Sequence, residues 1–257
     1  MDITEKKGML SANALKFIAV VAMFIDHVGW AFADTFSPVG QLMHFIGRFT
    51  APLMCYFITE GYYHTKNLAN YKKRLLIFAL ISHFPFVIDS VLTKPPLYFS
   101  EGSLTINTEL FIPLTSVILP LFLGLSALDL LKSDKKSSVK VISLIGIILL
   151  SCLGDWLFFA VLWIIGFGMN RGNLKKQFIW YYAVALFEML IFFIPVLTGV
   201  MDISGVIWQF GVLVPPLLIL FYNGKKGRGG KVFQYFFYWF YPVHLLVIGL
   251  LKWYVFI

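Results

Sequence analysis

The sequence predicts an all-α fold. It reads as a polytopic integral membrane helix bundle of about nine transmembrane helices (8–10), with residues 1–257 as a single domain. Three observations predict it. The chain is 59% hydrophobic and only 13% charged, with a mean hydropathy of +0.82, whereas a soluble domain carries about 25% charged residues. Apolar stretches recur at lengths that cross or nearly cross a bilayer. The basic residues fall between these stretches, on alternate loops. Almost no sequence is left over for a soluble domain.

The apolar segments run approximately over residues 11–33, 40–62, 74–93, 109–131, 138–154, 156–169, 177–199, 205–222 and 231–256. The first follows Asp2, Glu5, Lys6 and Lys7 and lacks a small-residue cleavage site, so it reads as a retained helix and not a signal peptide. The sixth is short for a span and reads as tilted, or as half of a broken pair with the fifth. Of the 21 Lys and Arg residues, 17 sit on alternate connections: Lys6 and Lys7, then the groups at 66–74, 132–140, 171–176 and 225–231. The positive-inside rule then places the N-terminus in the cytoplasm and the C-terminus outside. The net charge of +8 is thereby explained as topology, and no nucleic-acid partner is expected. The polybasic inner face suits anionic lipid or an anionic cytosolic ligand. Cys55 and Cys152 both lie in apolar runs without ligand company. Zinc spacing, a Walker loop and a dinucleotide fingerprint are all missing, so no metal is expected.

Polar residues inside the apolar segments are functional candidates by default, because ionisable groups at that depth are costly. On the first segment Lys16 and His27 are eleven residues apart. At about 100° and 1.5 Å per residue they lie roughly 20° apart on one face and about 16 Å apart along the axis. Val20 and Met23 fill the stripe between them, and Asp26 sits about 100° round from His27. The plain alternative is a snorkelling lysine and a histidine held by a neighbouring helix. On the second segment His44 and Arg48 are one turn apart in the outer half, with Pro52 following. Glu60 and His64 are one turn apart at the inner end. Arg74, Ser82, His83, Pro85 and Asp89 mark the third segment, Glu188 the seventh, and Tyr241, Pro242 and His244 the ninth. If these faces converge, they line a polar route across the membrane, with prolines bending helices around it. Arg48 cannot deprotonate, so it needs an ion-pair partner, Asp26 or Glu188, or a role in stabilising charge. Glu60 and His64 can pair with each other. His83 and His244 can each be hydrogen-bonded core histidines. The loop 93–107, with Pro95-Pro96 and Gly102, reads as an outer connection.

Several strings match a known family. Leu15-Lys16 with Met23 and Asp26-His27 resembles the first helix of the TraX family of conjugative-pilin acetylases. Ile46-Gly47-Arg48, Pro52, Glu60-Gly61 with His64-Thr65, Tyr71 with Arg74-Leu75, and Ser82 with Pro85-Phe86 are similar to further blocks. So are Phe237-Tyr238, Tyr241-Pro242 and His244-Leu245. The matches cover the first 90 residues well and the last 25 reasonably. The family is related to the acyltransferase type 3 superfamily, whose first helix carries a basic residue, ten intervening residues and a histidine. Lys16 and His27 keep that spacing, although Arg is usual at the first position and Lys lacks its planar fork.

The resemblance implies a multi-pass enzyme of the bacterial cytoplasmic membrane that moves an acetyl group from cytosolic acetyl-CoA to a peptide or glycan acceptor. His27 is then the base, Asp26 or another carboxylate orients it, and Arg48 supplies stabilising charge. Lys16, Glu60, His64, Arg74, Tyr241 and His244 are the candidates for the acetyl-CoA and substrate path. Two rival classes remain: a proton-coupled transporter or flippase, and a non-catalytic membrane partner of a secretion or pilus system. Against transport stand the missing inverted repeat and a broken-helix signal confined to the fifth and sixth segments.

The predicted topology is directly testable. Tags at the C-terminus and in the 94–107 loop should be accessible from outside the cell, and tags in the 132–138 and 224–230 loops should not. A C-terminal tag protected from outside would mean an even number of spans.

Overall fold

Several of the helices begin at a proline in their first turn. The computed structural model describes residues 8–256 except Glu101. The basic pair Lys6 and Lys7, used above for topology, lies outside the described residues. Helix α1 (Ala12–Phe32) starts at Ser11, whose hydroxyl accepts from the Ala14 N–H at 3.2 Å, and runs proline-free for 21 residues. The next apolar stretches behave differently. Segment 40–62 is two helices, α2 (Pro38–Gly47) and α3 (Thr50–His64), broken at Arg48 and Phe49. Segment 74–93 is also two, α4 (Leu68–Ile81) and α5 (His83–Ser90), broken at Ser82. Segment 109–131 is a 3₁₀ turn, Thr108–Phe111, followed after a gap by α6 (Ile118–Lys132).

Pro52, Pro85 and Pro120 are each the third residue of their helix. A first-turn residue has no intrahelical N–H bond to lose, but a proline ring clashes with the carbonyl four residues back if a helix continues through it. All three therefore start helices, and Pro52 and Pro85 do not bend them in the way the sequence reading expected, whereas Pro242 lies within the helix Gly230–Leu251. Broken helices are consequently not confined to segments five and six, and their scarcity no longer counts against transport.

The remaining helices are α7 (Ser137–Ser151), α8 (Phe159–Met169), α9 (Leu174–Leu197), α10 (Pro215–Leu220) and α11 (Gly230–Leu251), with a 3₁₀ run, Ile203–Leu213, leading into α10. Among the described residues four helical stretches are long and apolar enough to cross a membrane: Ala12–Phe32, Leu174–Leu197, Ile203–Leu220 and Val232–Phe256. The other five predicted spans are represented by helices of 8 to 15 residues, each shorter than the ~20 residues that cross a hydrocarbon core unaided. The fold is not wholly α. The 93–107 loop holds a hairpin of β1 (Leu97–Ser100) and β2 (Ser103–Ile106), turning at Gly102 with φ 80°.

Helix α8 lies at the centre. Phe159, Trp163, Ile164 and Phe167 are fully buried, and the Trp163 ring stacks on Tyr181 of α9 at 5.4 Å. Helix α7 exposes Val141, Ile142, Ile145, Leu149 and Leu150, the face expected of a helix against lipid. Two backbone ties hold the connections that matter for the site. Ala12 and Asn13 donate to the carbonyls of Lys225 and Lys226 at 2.9 and 3.0 Å, fastening the 223–228 loop over the start of α1. Thr115 and Asp155 are bridged by paired bonds of 2.8 Å, Thr115 to the Leu153 carbonyl and Asp155 to the Thr115 carbonyl. That bridge sets the start of α6 beside the turn before α8. In the turn, Trp156 and Leu157 have φ of 67° and 46°, strained for non-glycine residues.

Gly211 packs so closely that a Cβ there would overlap the Phe45 carbonyl of α2, whereas Gly146 of α7 faces open space. Gly211→Ala should therefore destabilise the detergent-solubilised protein by about 1–3 kcal/mol, as overpacking does. Gly146→Ala should leave thermal unfolding unchanged or raise it, since alanine favours helix by about 1 kcal/mol.

Candidate functional site

The face of α1 that carries Lys16, Val20, Met23 and His27 turns inward, and Val20, Met23 and His27 are buried. His27 Nδ1 lies 2.9 Å from Asp89 Oδ2. A carboxylate only accepts, so Nδ1 carries the proton, and Nε2 is the nitrogen that accepts one when the ring is neutral. Asp89 is 4% exposed and comes from α5, which Pro85 starts in a new direction. Its Oδ2 also accepts from the Ser90 hydroxyl at 2.8 Å, and its backbone carbonyl accepts from Lys252 Nζ at 3.4 Å.

Asp26 is not the partner of His27. Its turn on the helix carries it toward α2, where Oδ1 meets His44 Nδ1 at 2.8 Å, and Gly47 is packed so closely that a Cβ would overlap the Asp26 carboxylate. The carboxylate that orients His27 is one the sequence reading placed by depth but did not select. The available signal was an aspartate within the apolar string Phe86-Val87-Ile88-Asp89. His244 packs edge-on against His27 with ring centroids 5.3 Å apart, and its own Nδ1 donates to the Phe240 carbonyl at 2.7 Å.

Arg48 sits in the break between α2 and α3. Its guanidinium lies 4.0 Å from the Trp208 ring centroid and 4.5 Å from that of Trp156, and 3.5 Å from Glu188 Oε1 of α9. Of the two partners the sequence offers, Glu188 is the one it meets. Two indole faces and one carboxylate are a setting in which a desolvated guanidinium is held by cation–π attraction as well as by charge. The strained turn at Trp156 delivers one of those faces.

Two cavities receive these groups. The smaller, of about 360 Å³, is lined by Asp26, His27, Arg48, Asp89, Asp155 and Trp156 among others. The larger, of about 590 Å³, is lined by Lys16, Glu60, His64, Arg74, Tyr238 and Lys226 among others, over a mostly apolar wall. Met23, Thr50, Ala51, Val117 and Tyr241 belong to the walls of both. The structure thus brings Asp26, His27 and Arg48 to one cavity and Lys16, Glu60, His64 and Arg74 to the other. Tyr241 stands at both, and His244 contacts His27 from behind. At the rim of the larger cavity Glu60 meets His64 at 3.4 Å and Arg171 at 3.0 Å, while Arg171 reaches His64 Nε2 at 3.3 Å. Asp155, Lys226 and Arg171 escape a sequence reading because they lie on connections, and only the fold brings Asp155 and Lys226 to the cavity walls and Arg171 to Glu60. Among the described residues no group of three or more His, Cys, Asp or Glu is placed to hold a metal ion.

A helical membrane protein with a His–Asp pair and an indole-stacked arginine on one cavity, adjoining a larger cavity with basic residues in its wall, is the class that fold and site define. The chain belongs to the TraX family: that family's model, described as TraX protein, matches residues 11–252. It is also 31% identical, over 240 residues, to the probable fimbrial assembly protein FimC, serogroup H1, of Dichelobacter nodosus, which covers 93% of this chain and 94% of that protein. No solved structure matches the chain.

The Arg48–Glu188 pair generates a stability prediction. Glu188→Ala leaves a buried guanidinium uncompensated and should cost about 3–5 kcal/mol of stability in detergent, whereas replacing both members by apolar residues, as in Arg48→Met with Glu188→Leu, should recover most of it. A Glu188→Ala variant as stable as the wild type would mean that the indoles alone hold Arg48.

Proposed function

We propose that this protein is a multi-pass acetyltransferase of the bacterial cytoplasmic membrane, with its N-terminus inside and its C-terminus outside. It transfers the acetyl group of cytosolic acetyl-CoA to a peptide or glycan acceptor. The observation that carries the reading is the His27–Asp89 pair at 2.9 Å, set on a cavity that adjoins a larger one with a basic lining. The nine apolar segments of the sequence supply the spans, the broken ones crossing as two short helices in series. A kinship with the acyltransferase type 3 superfamily, suggested by the spacing of Lys16 and His27, belongs to the same proposal.

On this reading the cationic side chains of Lys16, Arg74 and Lys226 hold the phosphates of CoA, and the apolar wall of the larger cavity takes its pantetheine arm. His27 Nε2 removes the proton of the acceptor N–H or O–H as that atom bonds to the thioester carbon. Asp89 keeps the imidazole in the tautomer that makes this possible and stabilises the imidazolium. The C–S bond breaks, and the CoA thiolate takes the proton back from His27. Arg48, on the same cavity wall, supplies the positive charge for the developing oxyanion.

A second reading, a non-catalytic partner in fimbrial assembly, is favoured by the name of the relative from Dichelobacter nodosus and needs no imidazole.

The two readings separate on the purified protein. His27→Ala should lower single-turnover acetyl transfer by roughly 10²–10⁴-fold while leaving acetyl-CoA affinity nearly unchanged. Lys16→Ala should weaken acetyl-CoA binding, and Lys16→Arg should restore it. Full acetyl transfer by His27→Ala would end the assignment of the base. Intact fimbriation in cells carrying His27→Ala would favour the assembly partner.

A further inference from the structure

The two cavities share five wall residues drawn from four parts of the chain: Met23 of α1, Thr50 and Ala51 at the start of α3, Val117 just before α6, and Tyr241 of α11. Although each borders both cavities, all five are buried, with exposures of 6% for Met23, 7% for Thr50, 1% for Ala51, 8% for Val117 and 5% for Tyr241. These side chains thus stand between the larger cavity and the smaller one that holds His27.

Three of the five members of this collar have little freedom. The Thr50 hydroxyl donates to the Ala19 carbonyl at 3.0 Å, pinning α3 to α1. Val117 follows Thr115, whose backbone is bridged to the turn before α8. Ala51 has no side-chain torsion to move. Met23 is the exception: it is unbranched, with three rotatable bonds. It also lies on the α1 stripe between Lys16 and His27, and so separates the basic cavity from the imidazole.

We propose that this collar, with Met23 as its adjustable member and Ala51 as its smallest, selects the acyl group by length, admitting a two-carbon acyl thioester and excluding longer chains. The inference rests on the acyltransferase reading given above. It adds a determinant that lies at neither the base nor the basic cavity. Deleting Met23 side-chain atoms, or shortening Val117, widens the collar, and enlarging Ala51 closes it. A difference of one methylene in an apolar passage discriminates substrates by about 10–200-fold, so truncating one wall residue is expected to shift chain-length preference on that scale.

The test is single-turnover transfer from acetyl-, butyryl- and hexanoyl-CoA by the full chain in lipid nanodiscs, with thioester affinity measured in parallel. The wild type should prefer acetyl, and Met23→Ala and Val117→Ala should each raise the butyryl-to-acetyl rate ratio by about 10-fold or more. Ala51→Leu should abolish transfer but retain acetyl-CoA binding. Should Ala51→Leu not fold, the two truncations carry the test alone. Acetyl transfer with an unchanged butyryl-to-acetyl ratio in both truncated variants would overturn the collar and leave the acyltransferase reading standing. A wild type that transfers no acyl group from any of the three thioesters would overturn both.

Discussion

An ionised side chain inside an apolar bundle is tolerated only where an opposite charge or an aromatic face meets it, and the architecture of this protein follows from that constraint. His27 meets Asp89, His44 meets Asp26, Arg48 meets Glu188 between two indoles, and Glu60 meets Arg171. Each pair joins different elements: α1 to its neighbour α2, and, over longer stretches of chain, α1 to α5, the α2–α3 break to α9, and α3 to the connection after α8. A polar pair in low dielectric is satisfied in one register and penalised in its neighbours. The pairs therefore act less as a source of stability, which buried ion pairs supply poorly, than as a specification of which helices are adjacent.

The prolines make those pairings reachable. A continuous helix through residues 40–62 would place Arg48 in mid-ladder and fix its direction by helical phase. Ending α2 at Gly47 and restarting at Thr50 puts Arg48 in a break, where it reaches across to α9. The break at Ser82 does the same for Asp89, since α5 sets off in its own direction and brings its carboxylate to α1. Pro120 has the same consequence at the start of α6, where Val117 comes to the junction of the two cavities. Helices too short to cross a bilayer alone are thus not defects in a span. They are the means by which side chains from sequence-distant segments converge on one interior.

How much of this was legible in the chain depends on the range of the interaction involved. The stripe of Lys16, Val20, Met23 and His27 follows from helical periodicity within one proline-free segment, and the structure turns that face inward. The adjacency of Glu60 and His64 follows from one turn of helix. The choice between Asp26 and Glu188 as the partner of Arg48, and between Asp26 and Asp89 as the partner of His27, did not follow. In each case the nearer carboxylate in the sequence was not the one chosen, because a helix separates neighbouring side chains by 100° and directs them to different neighbours.

By itself, then, the sequence determined that the chain is a helical membrane protein, which of its residues are too costly to bury without purpose, and which of those share a face of α1. Hydropathy, charge placement and helical period are local quantities, and they suffice for that. Only the tertiary structure decided that two of the apolar segments divide at first-turn prolines, that Asp89 and Glu188 are the partners of His27 and Arg48, that one loop holds a two-stranded hairpin, and that two cavities meet at five buried residues. These depend on how helices pack against one another across up to two hundred residues of chain. Nothing in local propensity encodes the direction a helix takes after a break, because that direction is set by the neighbours it packs on and the charges it must meet.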